Sequence, residues 1–232
     1  MRLTIRALHD RIGITPDTPG YGTAFGTRSK AALFAHLSNK KAPALTAADF
    51  DRVAADLRAP VTIIRAVRKV EAPRGPFDDD GRPNPLYERH VFRRNTDPAG
   101  RFDKSHPDLS GPAYGPGGYG AFSAQYDKLA AACALDPEAA FRACSWGAFQ
   151  VLGENAVALG YASALDMVEA LTVSEAAHLD SFARFVRTNG LEDELRACRP
   201  GDPDSCIPFV SKYNGPGFRQ FNYHVKLAEA AK

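Results

Sequence analysis

The amino-acid sequence predicts a mainly α-helical protein with a minor irregular or β insertion. Apolar residues recur at the spacing of helix faces along most of the 232 residues. Capping residues and prolines mark where these helices begin and end. Residues 72–122 break the pattern, because they hold eight of the 17 prolines and eight of the 19 glycines. A chain of this length can bury the core of one domain with a small appendage.

The first 60 residues contain three expected helices. Short helical patterns cover residues 4–12 and 29–37, on either side of a loop rich in Pro and Gly. Thr46 and Asp49 then match a capping box, and the apolar residues behind them follow one helix face. Pro60 ends this helix, because its ring cannot continue a helical backbone.

A further helix follows at once and leads into the insertion. Thr62 can cap this helix and Pro73 stops it. The insertion over residues 72–122 is expected to be mostly loop, with short strands around residues 86–92. Irregular stretches of this length in compact domains usually serve as binding loops or lids.

Helical patterns return after the insertion and continue to the C-terminus. Most of these helices begin with a recognisable capping residue or with a proline at the first helical position. The expected helices are one over residues 123–134, one opened by Asp136-Pro137, one capped by Ser163, one from Ser174 to Gly190, and two short ones flanking the turn YNGPGF.

The formal net charge of +2 hides an uneven distribution. Residues 1–42 contain seven Lys or Arg against two acids, so they carry +5 and the rest of the chain carries −3. We expect this front module to contact an anionic surface. The near-neutral total, without zinc-finger spacing or an RNA-binding aromatic signature, argues against a dedicated nucleic-acid binder.

The sequence also predicts neither a membrane span nor an export signal. No apolar run approaches the roughly 18 residues that a transmembrane helix needs. Arg6, His9 and Asp10 stand where a signal peptide would need an apolar block. The six histidines show no metal-ligand spacing, so neither a metal nor another cofactor is expected. We expect a monomer.

Glu71 is the residue with the clearest chemical signal. On a helical wheel it falls within the apolar arc of Ile64, Val67 and Val70. A carboxylate on the core side of a helix, near the negative end of the helix dipole, should have a raised pKa. A general acid needs this property near neutral pH. The alternative is a structural glutamate paired with an arginine such as Arg74.

Several segments carry a family resemblance. IRAVRKVEA, SWGAFQV and YNGPGF resemble, in order, the signature segments of the lysozyme-like superfamily of goose-type lysozymes and lytic transglycosylases. LYERHVF, the loop HPDLSGPAYGPGGYG and SWGAFQVLG are similar to the N-acetylmuramidase domain of modular phage endolysins. The resemblance implies a lysozyme-like catalytic domain over residues 45–232 that cleaves the bond between N-acetylmuramic acid and N-acetylglucosamine in peptidoglycan.

The same resemblance implies roles for individual residues. Glu71 takes the position of the general acid, and Glu88 is the candidate for a second carboxylate that activates water. Glu88 could instead pair with Arg89 or Arg93 and only order the loop. The residues expected to line the glycan cleft are Gln150, Tyr213 and Asn214, with Trp146 and Tyr119 as its apolar floor. Trp146 has a second interpretation as a core residue.

The front module, residues 1–42, is similar to small helical peptidoglycan-binding domains. Ile5, Leu8, the Tyr21-Gly22 pair and Ser29 carry the similarity. The module's charge of +5 suits the binding of anionic cell-wall or outer-membrane material. The endolysin resemblance implies synthesis in a host cytoplasm without a signal peptide, and action on periplasmic peptidoglycan after another protein permeabilises the membrane.

Three other functions stay open at this point. Without a second carboxylate, attack by the C6 hydroxyl of the muramic sugar would make the protein a lytic transglycosylase. Cys144 could serve as the nucleophile of a cell-wall endopeptidase, with His178 or His224 as its base. A non-catalytic wall-binding protein is the third. The four cysteines allow three pairings, of which a bond between Cys198 and Cys206 is the favoured one.

Overall fold

The mainly α-helical class is confirmed by a computed structural model, which describes residues 2–113 and 119–232. The middle of the expected binding loop HPDLSGPAYGPGGYG, residues 114–118, lies outside the described residues. The α-helices of the described part are α1 (Ile5–Arg11), α2 (Thr27–His36), α3 (Ala47–Leu57), α4 (Val61–Glu71), α5 (Arg89–Thr96), α6 (Gln125–Leu135), α7 (Pro137–Arg142), α8 (Ala164–Val173), α9 (Glu175–Thr188), α10 (Glu192–Ala197), α11 (Pro203–Tyr213) and α12 (Tyr223–Ala230).

The described residues pack as two compact units, each discontinuous in sequence. Unit 1 comprises residues 1–41, 77–146 and 150–172, and unit 2 comprises residues 42–76, 147–149 and 173–232. The front segment therefore belongs to the same unit as most of the insertion. Whether residues 1–42 act as a separate binding module stays a prediction.

Unit 1 contains a small antiparallel sheet in the order β1-β2-β3, formed by β1 (Pro85–Tyr87), β2 (Cys144–Trp146) and β3 (Val151–Leu152). Ser145 lies opposite Leu86 on one side and Leu152 on the other. The strand expected around residues 86–92 ends at Tyr87, because α5 begins two residues later. Val91 and Phe92 are both fully buried as neighbours on this helix, which alternation along a strand would not allow.

Ion pairs join the basic front segment to acidic residues of the same unit. Arg11 binds both Asp166 and Glu169 of α8, and His36 also contacts Glu169 at 2.6 Å. The remaining pairs join Arg2 to Asp136, Lys30 to Asp127, and Lys40 to Asp80. Much of the positive charge that the sequence places in residues 1–42 is therefore balanced within unit 1.

The helices of unit 2 confirm the local signals in part. The capping box of Thr46 and Asp49 is present at the start of α3. By contrast, the expected cap at Thr62 is wrong, since α4 already starts at Val61 and Pro60 takes the N-cap position. Pro60 suits this place because its fixed backbone angle and missing N–H cost nothing before a first helical turn.

An aromatic cluster forms part of the core of unit 2. The ring of Tyr213 stacks on Phe209 with centroids 5.2 Å apart, and it meets the edges of Phe182 and Phe185 at 5.8 and 5.2 Å. Phe149 stacks on Phe182 at 4.7 Å. The short turn at residues 147–149 is thereby packed against α9 and α11.

All four cysteines are free, buried thiols in the structure. The favoured Cys198–Cys206 disulfide is therefore not formed, and the Cys198 thiol instead donates to the Glu194 carbonyl over 3.3 Å. Cys133 and Cys144 lie in unit 1, where burial raises the pKa of both thiols.

Candidate active site

Glu71 is the last residue of α4, and it lines a recess in unit 2. α4, α11 and α12 form this recess, which opens to solvent. Its lining residues are Val67, Val70, Glu71, Phe209, Val210, Tyr213, Asn214, Tyr223 and Leu227. The helical spacing in the sequence thus correctly placed Glu71 among apolar neighbours.

Asn214 provides the hydrogen bond that holds the carboxyl group of Glu71. Its side-chain Nδ2 donates to Oε1 of Glu71 over 2.7 Å. Asn214 is the C-cap of α11, and Gly215 behind it has φ 73°, a left-handed conformation that favours glycine. The local sequence Tyr-Asn-Gly therefore ends the helix where the amide can reach Glu71. The partner of Glu71 is thus a neutral amide. The alternative interpretation, a structural glutamate paired with an arginine such as Arg74, predicted a charged partner.

Burial raises the pKa of Glu71 to about 7. The apolar recess withdraws the carboxylate from water, which penalises its charged form. Asn214 and the positive charge of Lys226 oppose this shift, because both favour the carboxylate. Near neutral pH the site therefore contains the protonated acid and the carboxylate in comparable amounts, which suits a group that both donates and accepts a proton.

Tyr213 supports the site from the core. Its hydroxyl donates to the backbone oxygen of Phe149 over 2.5 Å, so it is already used inside unit 2. The preceding residue of that turn is held by His178, whose Nδ1 accepts from the N–H of Ala148 at 2.9 Å. A Cβ on Gly147 would come within 2.1 Å of this nitrogen, so the turn requires glycine there.

Glu88 lies in unit 1, where it is the N-cap of α5. Its carboxyl is 3.6 Å from Nε2 of His90 and is 19 % exposed. Burial raises the pKa of Glu88, while Arg94 acts in the opposite direction. The arginines of the alternative interpretation have other partners: Arg89 donates to the Pro107 carbonyl at 2.8 Å, and Arg93 pairs with Asp103.

The remaining cleft candidates differ in accessibility. Trp146 is 1 % exposed, stacks on Phe141 and donates its indole N–H to a backbone carbonyl, so it is a core residue and not a glycan-binding floor. The side chain of Tyr119 is 40 % exposed. Gln150 accepts from Ser145 at 3.2 Å and has φ 49°, a left-handed backbone that fixes its direction. Contacts of Tyr119 and Gln150 with glycan stay predictions.

The described part of the structure argues against Cys144 as a nucleophile. Cys144 is fully buried, its Sγ lies 3.7 Å from the Ala140 carbonyl, and burial raises its pKa far from the thiolate range that a nucleophile needs. Among the described residues, no group of three His, Cys, Asp or Glu side chains could hold a metal ion.

Two of three comparisons with known proteins found matches. A family model described as N-acetylmuramidase matches residues 60–232. The crystal structure of the Burkholderia AP3 phage endolysin matches with a TM-score of 0.69 and 29 % sequence identity, covering 100 % of this chain and 97 % of that one. No curated protein matches the chain in sequence. In the described part of the chain, no helix is both long and apolar enough to cross a membrane.

The Asn214 hydrogen bond gives the first prediction. Asn214→Ala removes a donor that favours the carboxylate, so the pKa of Glu71 should rise above about 7, by roughly 0.5–1 unit. Titration of a ¹³C-labelled Glu71 carboxyl by NMR measures this shift. Asn189→Ala is the matched control, because Asn189 caps α9 and donates only to a backbone oxygen. An unchanged titration in Asn214→Ala would contradict the assigned contact.

The buried carboxyl also predicts a pH-dependent cost in stability. The pKa of Glu71 is about 7 in the fold against an ordinary value of 4.5, so the unfolded chain releases this proton more readily and the folded state loses stability as pH rises from about 4.5 to 7. Glu71→Gln should match the wild type below about pH 4.5 and exceed its unfolding free energy by up to about 3 kcal/mol above pH 8. Urea unfolding at both ends of this range tests it, with exposed Glu229→Gln as control. Equal differences at both pH values would refute it.

Proposed function

Because the chain belongs to the N-acetylmuramidase family, we propose that it hydrolyses the β-1,4 bond between N-acetylmuramic acid and N-acetylglucosamine, with Glu71 as the general acid. The protein is a peptidoglycan hydrolase of the glycoside hydrolase class. The observation that carries the proposal is a partly buried carboxyl at the end of α4, with a pKa near 7 and one oxygen held by Asn214.

Glu71 acts first as an acid in this scheme. With Oε1 bound by Asn214, Oε2 of the protonated carboxyl is the oxygen that delivers the proton to the glycosidic oxygen. The bond from the muramic C1 to that oxygen then breaks, the leaving sugar keeps the bonding electrons and gains a hydroxyl, and positive charge develops on the muramic ring. The Glu71 carboxylate that remains is stabilised by Asn214 and Lys226.

Glu88 is proposed as the base of the second step. It would take a proton from water, whose oxygen then bonds to C1 and leaves a reducing muramic end. Its raised pKa makes it a stronger base than an exposed glutamate would be. Gln150, Tyr119 and Asn214 are proposed to contact the sugar chain.

One observation favours a lytic transglycosylase as the second candidate. The recess around Glu71 holds a single carboxylate among its lining residues. If Glu71 itself recovers the proton, from the C6 hydroxyl of the muramic sugar, that oxygen bonds to C1 and a 1,6-anhydro product forms. The two candidates share the first step and differ only in the oxygen that attacks C1.

Glu71→Gln tests the general acid. The amide cannot protonate the leaving oxygen, so the loss of turbidity of permeabilised cells should slow by about 10²–10⁴-fold, while binding to sacculi persists. Glu229→Gln, an exposed change on α12, should keep full activity. Full activity in Glu71→Gln would overturn the assignment.

Mass spectrometry of wild-type digests then identifies the reaction. Reducing N-acetylmuramic ends are the expected products, and 1,6-anhydro ends would establish the transglycosylase instead. New peptide or amine termini without cleaved glycan would contradict both. Glu88→Gln should abolish the reducing ends if Glu88 is the base, whereas retained hydrolysis would remove that role.

Wall binding by the basic front segment is a separate proposal. We propose that it holds anionic wall or outer-membrane material, with the protein acting as a monomer on periplasmic peptidoglycan. Arg28 and Lys41 are exposed, and no ion pair of either is described, so they are the best candidates for external contacts.

Arg28→Glu with Lys41→Glu should weaken co-sedimentation with sacculi at low salt by several-fold. The control is Lys104→Glu with Arg199→Glu, the same charge change elsewhere on the exposed surface. Equal affinity of both double variants would exclude the binding role.

A further inference from the structure

The first turn of α12 carries a positive charge where helix electrostatics disfavour one. α12 begins at Tyr223, behind Asn222 in a left-handed conformation with φ 55°, and its first turn has no acidic residue. Lys226 follows at the end of that turn. The N-terminus of a helix is the positive end of its dipole, which stabilises anions and destabilises nearby cations. Lys226, which is exposed, therefore lies where the helix dipole disfavours a cation.

The ring of Tyr223 is the contact that connects Lys226 with the recess of Glu71. The ammonium of Lys226 lies 5.5 Å from the centroid of the Tyr223 ring, within the range of a cation–π contact. Tyr223 also lines the recess that contains Glu71. The ring thus holds the positive charge next to the recess, and α12 packs directly against α4, which ends in Glu71.

We propose that Lys226, held over Tyr223, is a positioning residue that places a positive charge beside the Glu71 carboxyl and so sets the pH range in which Glu71 donates its proton. This inference rests on the proposed role of Glu71 as the general acid. It assigns Lys226 no contact with the substrate.

Of the charged and titratable groups near Glu71, including Arg74 behind α4 and His224 on α12, Lys226 is the one whose charge is described as acting on its carboxyl. From α11, Asn214 is a neutral donor and Tyr213 is a buried phenol whose hydroxyl binds a backbone oxygen. From α4 itself, Arg68 is paired with Glu175 at 2.8 Å. Asn214 and Lys226 are the two groups described as favouring the carboxylate against burial.

The positive charge matters because catalysis depends on Glu71 both before and after it gives up its proton. Burial alone would raise the pKa of Glu71 further and would leave a carboxylate of high energy after the proton has moved. A nearby ammonium lowers the energy of that carboxylate while the sugar ring carries positive charge. Lys226 therefore limits how strongly Glu71 retains its proton. As a result, a smaller fraction of Glu71 is protonated at higher pH.

Lys226→Met tests this role through the pH dependence of kcat/KM. The active enzyme needs protonated Glu71, so the alkaline limb of the profile follows the pKa of that group. Removal of the positive charge should move this limb upward, by about 0.2–0.7 pH unit for a partly exposed charge. Lys226→Arg keeps the charge and should restore the wild-type limb. Added salt should move the wild-type limb towards that of Lys226→Met, because it screens the ammonium.

Lys69→Met is the matched control. Lys69 is an exposed lysine on α4, two residues before Glu71 in sequence, and it is absent from the groups that act on the Glu71 carboxyl. Its removal should leave the alkaline limb in place. An unmoved limb in Lys226→Met, with unchanged circular dichroism, would overturn the inference, and so would an equal shift in Lys69→Met.

The result remains separable from the proposed function. If Glu71→Gln is inactive and Lys226→Met has a wild-type profile, Glu71 is the acid and only the role of Lys226 fails. If Glu71→Gln is fully active, the proposed function fails, whatever the profile of Lys226→Met shows.

Discussion

The central constraint in this structure is the partial burial of one carboxyl group at the end of a helix. An apolar recess raises the pKa of Glu71 to about 7, and a single amide and a single ammonium oppose that shift. The fold must supply the recess from three helices and deliver the amide from a fourth position, the C-cap of α11. The fold loses stability as pH rises from about 4.5 to 7, because the unfolded chain ionises this carboxyl more readily, so the burial that suits Glu71 to proton transfer also weakens the fold.

The core of unit 2 explains how such an arrangement can stay rigid. Tyr213 precedes Asn214, and its stacked ring and hydroxyl anchor the end of α11 to Phe209 and Phe149. Asn214 therefore approaches Glu71 from a backbone that is already fixed, which lowers the entropic cost of the hydrogen bond. Gly147 and His178 secure the turn that receives the Tyr213 hydroxyl.

Charge has a different use in each unit. In unit 1, acidic residues of α8 and other elements neutralise most of the basic front segment, so its sequence charge overstates what a wall surface would meet. In unit 2, the positive charge of Lys226 acts on a carboxyl that is itself only partly ionised near neutral pH. Net charge per segment thus says little until the partner of each side chain is known.

Sequence by itself determined the helical class, the capping box at Thr46 and the unusual place of Glu71, because these depend on local spacing and backbone preferences. It could not decide that α5 replaces most of an expected strand, that Trp146 is core, or that Arg11 binds acids of α8. Those outcomes depend on packing between segments far apart in the chain. The pairing of Asn214 with Glu71, 143 residues away, belongs to the same class. Only the tertiary structure could decide it, because periodicity shows which face a residue occupies but not which distant group meets it there.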